Sequence, residues 1–138
     1  MKDIERIANS ISQMQRKVRA KLSNELSQGK ITIPQYHILY CLFGKGEATM
    51  SEVADYLFVS PPAVTGVVDK LVKMSLVKRS FSSSDRRIII ISLTEKGKAV
   101  ISKIKSQFES LLLSVFKEFS SEEKKSFIEV IEKMGKLL

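Results

Sequence analysis

Between residues 3 and 27 the apolar side chains Ile4, Ile7, Ile11, Met14, Val18, Leu22 and Leu26 recur every three or four positions. That spacing predicts one helix with a continuous apolar stripe, and its first five positions follow a heptad seam suited to packing on another helix. The polar stretch 27–30 ends it, with Gly29 as a left-handed stop. Thr32 and Gln35 then form a capping box with Pro34 in the first turn, opening a helix that Gly44 and Gly46 close. Thr49 and Glu52 repeat the signal for a short helix that buries Val53, Ala54 and Leu57. Ser60 as N-cap and Pro61 at the first helical position open a third, whose inward face is Val64, Val67, Val68, Leu71 and Val72.

After a break near Ser75 the pattern changes. The segments VKRSF and IIIISL are β-branched or aromatic and flank the polar loop 82–87, which predicts a hairpin. Thr94 caps a long helix carrying Val100, Ile101, Ile104, Phe108, Leu111, Leu112, Val115 and Phe116. Ser120 and Glu123 cap a last one with Phe127, Ile128, Ile131, Met134 and Leu138. Two short capped helices followed by a basic-tipped hairpin make a winged helix-turn-helix, so the fold expected is mainly α with a small β-hairpin wing. The terminal helices offer more apolar stripe than one small domain can cover. Ile4, Ile7, Ile11, Phe116, Phe127, Ile131 and Met134 are therefore expected in a homodimer interface. Residues 1–30 and 95–138 read as the dimerisation region, and 31–94 as the DNA-binding lobe.

Composition sharpens this. The 138 residues carry a formal charge of +8, with 43% hydrophobic and 28% charged side chains, a globular balance whose excess suits a polyanionic partner. The single cysteine, Cys41, excludes an intrachain disulfide; flanked by Leu39, Tyr40, Leu42 and Phe43, it reads as an inert core thiol. With one histidine, no glycine-rich phosphate loop and no paired-carboxylate pattern, nothing suggests an enzyme, a cofactor or a metal site. Charges stand where a signal peptide would have its apolar core, and no apolar run approaches the ~18 residues of a membrane span, so the expected location is cytoplasmic.

The segments TIPQYHIL, SEVADYLFVSPPAVTGVVDKLVKMSLVKR and SSSDRRIIIISLTEKG resemble the MarR family of bacterial and archaeal transcriptional regulators. The most specific part is Asp85-Arg86-Arg87, then an apolar strand and Leu93-Thr94-x-x-Gly97. The resemblance covers the whole chain, because the family also has interlocking terminal helices. It implies a two-fold dimer on a pseudopalindromic operator in double-stranded DNA, probing the major groove with the helix that begins at Ser60 and the minor groove with the wing. In many members a small, often aromatic or phenolic effector fills a cleft between the dimer helices and the lobe and releases the DNA. A repressor is the expected function; the rival is a winged-helix adaptor that binds protein through its hairpin.

Within that frame Arg87 is the residue for a narrow minor groove, where a guanidinium is favoured over an ammonium. Asp85 either orients an arginine or nucleates the turn with its side chain. Arg86 is assigned to a phosphate, and Ser82 and its serine neighbours let the backbone approach closely. The recognition helix is unusual in having no Arg, Asn or Gln for a bidentate base contact. Direct readout is expected from Thr65 and from apolar contact of Pro62 or Ala63 with thymine methyls, unless Pro61 and Pro62 only stiffen the start of the helix. Ser60, Thr65, Lys73 and backbone N–H groups at helix starts are expected on phosphates. Arg79 either contacts phosphate or pairs with Asp55 or Asp69. Ser75 stands where the family usually has glycine. The effector cleft is assigned to Met14, Tyr36, His37, Tyr40 and Phe58, and the basic cluster Arg16, Lys17, Arg19 and Lys21 reads as a solvated face.

Overall fold

The computed structural model describes every residue except Ser23, Asn24, Glu25 and Ser27. In chain order the described elements are α1 (Lys2–Lys21), α2 (Ile33–Lys45), β1 (Glu47–Thr49), α3 (Met50–Leu57), α4 (Pro61–Lys73), β2 (Val77–Phe81), β3 (Ile89–Leu93), α5 (Glu95–Phe116) and α6 (Ser121–Leu137).

The capping signals act as the sequence predicts. Thr32 and Gln35 exchange both bonds of a capping box at α2, as do Ser120 and Glu123 at α6. Thr49 accepts from the Glu52 amide at α3, and Thr94 from the Gly97 amide at α5. The exception is α4: Ser60 is its N-cap by position, but its side chain makes no capping bond.

Two features depart from the pattern. Helix α1 ends at Lys21, where Leu22 takes extended backbone (φ −67°, ψ 167°), and the rest of the stretch expected to residue 27 lies, but for Leu26, outside the described residues. Gly29 is left-handed as expected, at φ 72°, with its amide donating to the Leu26 carbonyl. The second departure is β1, which pairs antiparallel with β3 and turns the expected hairpin into a three-stranded sheet of order β1-β3-β2. A three-residue strand is too short to show a period, and its partner lies some forty residues on, so nothing local announces it.

The core sits between the sheet and helices α2–α5. Ile38, Leu39 and Leu42 of α2 meet Val53 of α3, Val64, Val68 and Leu71 of α4, Ile91 of β3, and Ile101 and Ile104 of α5. The first half of α5 thus belongs to the same core as the lobe. By contrast, neither α1 (20 residues) nor α6 (17 residues) buries a single residue within the chain. Ile4, Ile7, Phe127, Ile131 and Met134 are exposed, while Ile11 and Phe116 are half-buried. Phe116 stacks at 5.2 Å on both Phe119 and Phe127, seating α6 on the end of α5.

Both helices of the helix-turn-helix are closed at their C-terminal ends by left-handed residues that are not glycine. Phe58 (φ 56°) ends α3 with the Val59 amide on Ala54 and its own on Asp55. Ser75 (φ 61°) ends α4 with the Leu76 amide on Leu71 and its own on Val72. Each is a Schellman motif, which consumes the loose carbonyls of the helix end at the cost of a left-handed side chain.

Candidate nucleic-acid interface

The wing loop is built from its backbone outward. The Ser82 amide bonds the Ile88 carbonyl at 2.9 Å, closing the hairpin, and the Ile88 amide bonds the Asp85 carbonyl at 3.0 Å. Arg86 and Arg87 therefore occupy the two central positions of a β-turn at the tip. Ser82 and Ser84 face each other at 3.0 Å, and the Ser84 amide donates to Ser82 Oγ at 3.3 Å, so the small side chains are used within the loop.

Asp85 does two jobs at once. Its Oδ1 accepts the Arg87 backbone amide at 3.0 Å, which is the turn-forming role, and the Arg87 Nε at 3.1 Å. Its Oδ2 accepts the Arg87 guanidinium at 3.0 Å, completing a bidentate fork. The fork lowers the Asp85 pKa, first through the side-chain bonds and then through the backbone one, and raises that of Arg87. A lowered carboxyl pKa keeps the pair ionised throughout the neutral range; it is lost only as pH falls through that lowered value. The Arg87 side chain nonetheless remains 90% exposed, so it is aimed without being covered. Arg86 is exposed and makes no ion pair among the described residues.

Of the alternatives open for Arg79, the geometry has the ion pair: its guanidinium bonds Asp69, in the second half of α4. This ties the first strand of the wing to the helix beside it. The hairpin face that starts at buried Val77 and passes Arg79 continues to Phe81 and its partner Ile89, both exposed.

Helix α4 turns Val64, Val68 and Leu71 inward. Its outer ridge, by helical spacing, is Pro62, Gly66, Asp69 and Lys73, with Thr65 beside it. Phosphate binding at the start of this helix loses its usual means. Pro61 and Pro62 have no amide hydrogen, and the Ala63 amide already bonds the Ser60 carbonyl at 3.1 Å. Ser60 keeps its hydroxyl, and Lys73 is exposed in the last turn.

The far end of α4 is clamped by the start of α5. The Thr94 hydroxyl donates to the Ser75 carbonyl at 2.5 Å, its amide to the Leu76 carbonyl at 3.1 Å, and Lys96 Nζ to the Met74 carbonyl at 3.2 Å. Gly97 is needed there because a Cβ would collide with the Leu76 carbonyl oxygen. The Thr-x-x-Gly spacing is visible in the sequence, but its reason lies in this remote contact with Leu76.

A cleft of about 560 Å³ lies between α1 and α2. Of the five residues expected in it, Tyr36 and His37 line it; Met14, Tyr40 and Phe58 do not. Met14 is exposed, Tyr40 lies one helical turn beyond Tyr36, and Phe58 is 96% exposed at the turn into α4. Arg16 and Arg19 are exposed, as expected of a solvated face, and also border the cleft. Burial raises the Tyr36 phenol above its ordinary value, and raises the thiol of core-buried Cys41 likewise, which keeps the latter protonated.

Comparison with known proteins agrees with this architecture. The chain is 30% identical over 137 residues to the HTH-type transcriptional regulator YpoP of Bacillus subtilis, covering 99% of this chain and 94% of the relative. It is 36% identical over 103 residues to the transcriptional regulator ZitR of Lactococcus lactis, covering 72% of this chain and 70% of the relative. Among solved structures, the MepR–DNA complex of S. aureus superposes with a TM-score of 0.78 at 23% identity, over 95% of this chain and 97% of that one, a likeness of fold. The MarR family model matches residues 31–89, the lobe that holds the helix pair and most of the wing. With that match at its centre and a relative alike along nearly its full length, this chain belongs to the MarR family.

Proposed function

We propose that the protein is a cytoplasmic, homodimeric, DNA-binding transcriptional regulator, a repressor without enzymatic activity. The observation that carries this reading is Arg87: a guanidinium at a hairpin tip, forked onto Asp85, yet 90% exposed. A cation directed into solvent by a dedicated carboxylate is arranged to meet an external anion. A narrow minor groove supplies one, with its potential focused between the two phosphate chains. Arg86 beside it, with Ser60, Ser82 and Lys73, supplies phosphate contacts, while α4 lies in the major groove; Thr65, expected on a phosphate, has its hydroxyl proton on the Pro61 carbonyl and cannot donate to one. Arg79 and Asp85 act indirectly, by holding the wing and its tip.

Residues 1–30 and 95–138 serve as the dimerisation region and 31–94 as the DNA-binding lobe, with α5 shared between them. The dimer follows from α1 and α6, whose apolar faces stay largely uncovered within one chain. A second copy covers Ile4, Ile7, Ile11, Phe116, Phe127, Ile131 and Met134 and sets two wings at a fixed span.

The cleft between α1 and α2 is the seat of an effector. It combines two aromatic rings, Tyr36 and His37, with two guanidinium groups, Arg16 and Arg19, a lining suited to an aromatic acid. Occupancy would wedge α1 away from the lobe and change the span. Electrophoretic retention of A·T-rich palindromic DNA, including DNA upstream of the protein's own gene, tests the reading. Salt-sensitive retention lost on Arg87→Ala is expected. Retention indifferent to Arg87→Ala would point to the adaptor function instead.

A further inference from the structure

From Pro61 to Asp69 the ridge that α4 turns toward the major groove is almost devoid of free hydrogen-bonding groups, while Ser60, Lys70 and Lys73 keep their donors at the two ends of the helix. Pro61 and Pro62 carry no amide hydrogen. The Ala63 amide is bonded to Ser60. The single hydroxyl proton of Thr65 goes to the Pro61 carbonyl at 3.2 Å, leaving its oxygen only as an acceptor. Asp69 is held by Arg79. Gly66 adds no side chain, and the space above it is open. What remains outward is carbon: the Pro62 ring, Ala63, the Gly66 backbone and the Thr65 methyl. Phe58, two residues before the N-cap, adds an exposed aromatic face at the same end.

The base edges of the major groove offer one apolar group, the C5-methyl of thymine. The geometry points to a recognition helix that reads thymine methyls, with Pro62 and Thr65 as the specificity-determining side chains. This rests on the DNA-binding reading above and names what the helix selects. The Thr65 oxygen accepts from the N6 amino group of the adenine paired with a contacted thymine, so the two contacts favour the same base pair. Selectivity is then shared: the wing follows minor-groove shape, and α4 counts methyls.

The test begins with a duplex selected from a random pool by the intact dimer. Its affinity is compared with that of the same duplex carrying deoxyuridine for thymine in the half-sites. The exchange deletes the C5-methyl alone and leaves base pairing and the minor-groove edge unchanged. Affinity is expected to fall by about fourfold per contacted methyl, the worth of one buried carbon group. Pro62→Gln, at an exposed helix position, is expected to shrink the thymine-to-uridine ratio, whereas Arg87→Ala weakens both duplexes equally and preserves it. Equal affinity for the two duplexes, with Arg87→Ala still weakening both, would overturn methyl readout while leaving DNA binding in place. A pool that yields no selected sequence, together with no effect of Arg87→Ala, would remove the DNA-binding reading and this inference with it.

Discussion

Asp85 brings a negative charge to the wing tip proposed to meet DNA, and its effect on binding has two opposed signs. Through charge alone, Asp85→Ala should tighten binding, since it removes repulsion. Through its fork with Arg87, the same change should weaken binding, because a released arginine must be ordered on docking at roughly 0.5–1.5 kcal/mol. The account predicts the second: a loss of about two- to tenfold, measured by fluorescence anisotropy on a fixed duplex. Tighter binding would show that the fork does not aim Arg87. Phe58 offers a second opposition of signs. Its left-handed backbone and full exposure mean that Phe58→Gly relieves strain and loses almost no burial. Thermal unfolding should show a gain of about 0.5–1 kcal/mol, strain relief less the added freedom of glycine. DNA affinity should fall in the same variant, whereas Ser75→Gly should gain stability without that loss.

The coupling between elements is concentrated where α5 begins. Three consecutive carbonyls at the end of α4 and just beyond, those of Met74, Ser75 and Leu76, are taken by Thr94 and Lys96. Gly97 sits against the last of them. The helix proposed to enter DNA is thereby fixed to the helix that leads to the proposed dimer interface. Gly97→Ala should destabilise the lobe by about 2–4 kcal/mol in denaturant titration, since backbone must move on both sides. Little change would mean the contact is slack. At this scale the sequence was readable wherever the signal is local: the boxes at Thr32–Gln35 and Ser120–Glu123 each span four residues and appear as expected. It was unreadable where the partner is remote. Strand β1 exists through β3, the choice of Asp69 over Asp55 by Arg79 depends on how the wing lies on α4, and Arg16 and Arg19 line a cleft only because α1 passes beside α2. Thr65 kept its place on the helix, but its bond to Pro61 changed what it can offer a base.

Across the whole molecule, two helices without a fully buried residue frame a lobe with a closed core. The function requires that both lobes reach one duplex, which makes dimerisation a condition of affinity rather than an accessory. Ile7→Asp combined with Ile131→Asp places charges on both exposed stripes and should yield a folded monomer by analytical ultracentrifugation, with intact helical circular dichroism from the lobe. Its DNA affinity should fall by about 10²-fold or more, the loss of a second linked contact. A monomer that binds as tightly as the parent would remove the reason for the terminal helices.

The central claim is that the wing arginines meet the polyanion directly. The measurement that bears on it most closely is the salt dependence of affinity for one selected duplex, for the parent protein and for Arg87→Ala. The account predicts a steep parent slope of log affinity against log salt. It predicts that the slope falls by roughly one unit per wing, about two per dimer, in the variant. An unchanged slope and an unchanged affinity would contradict it.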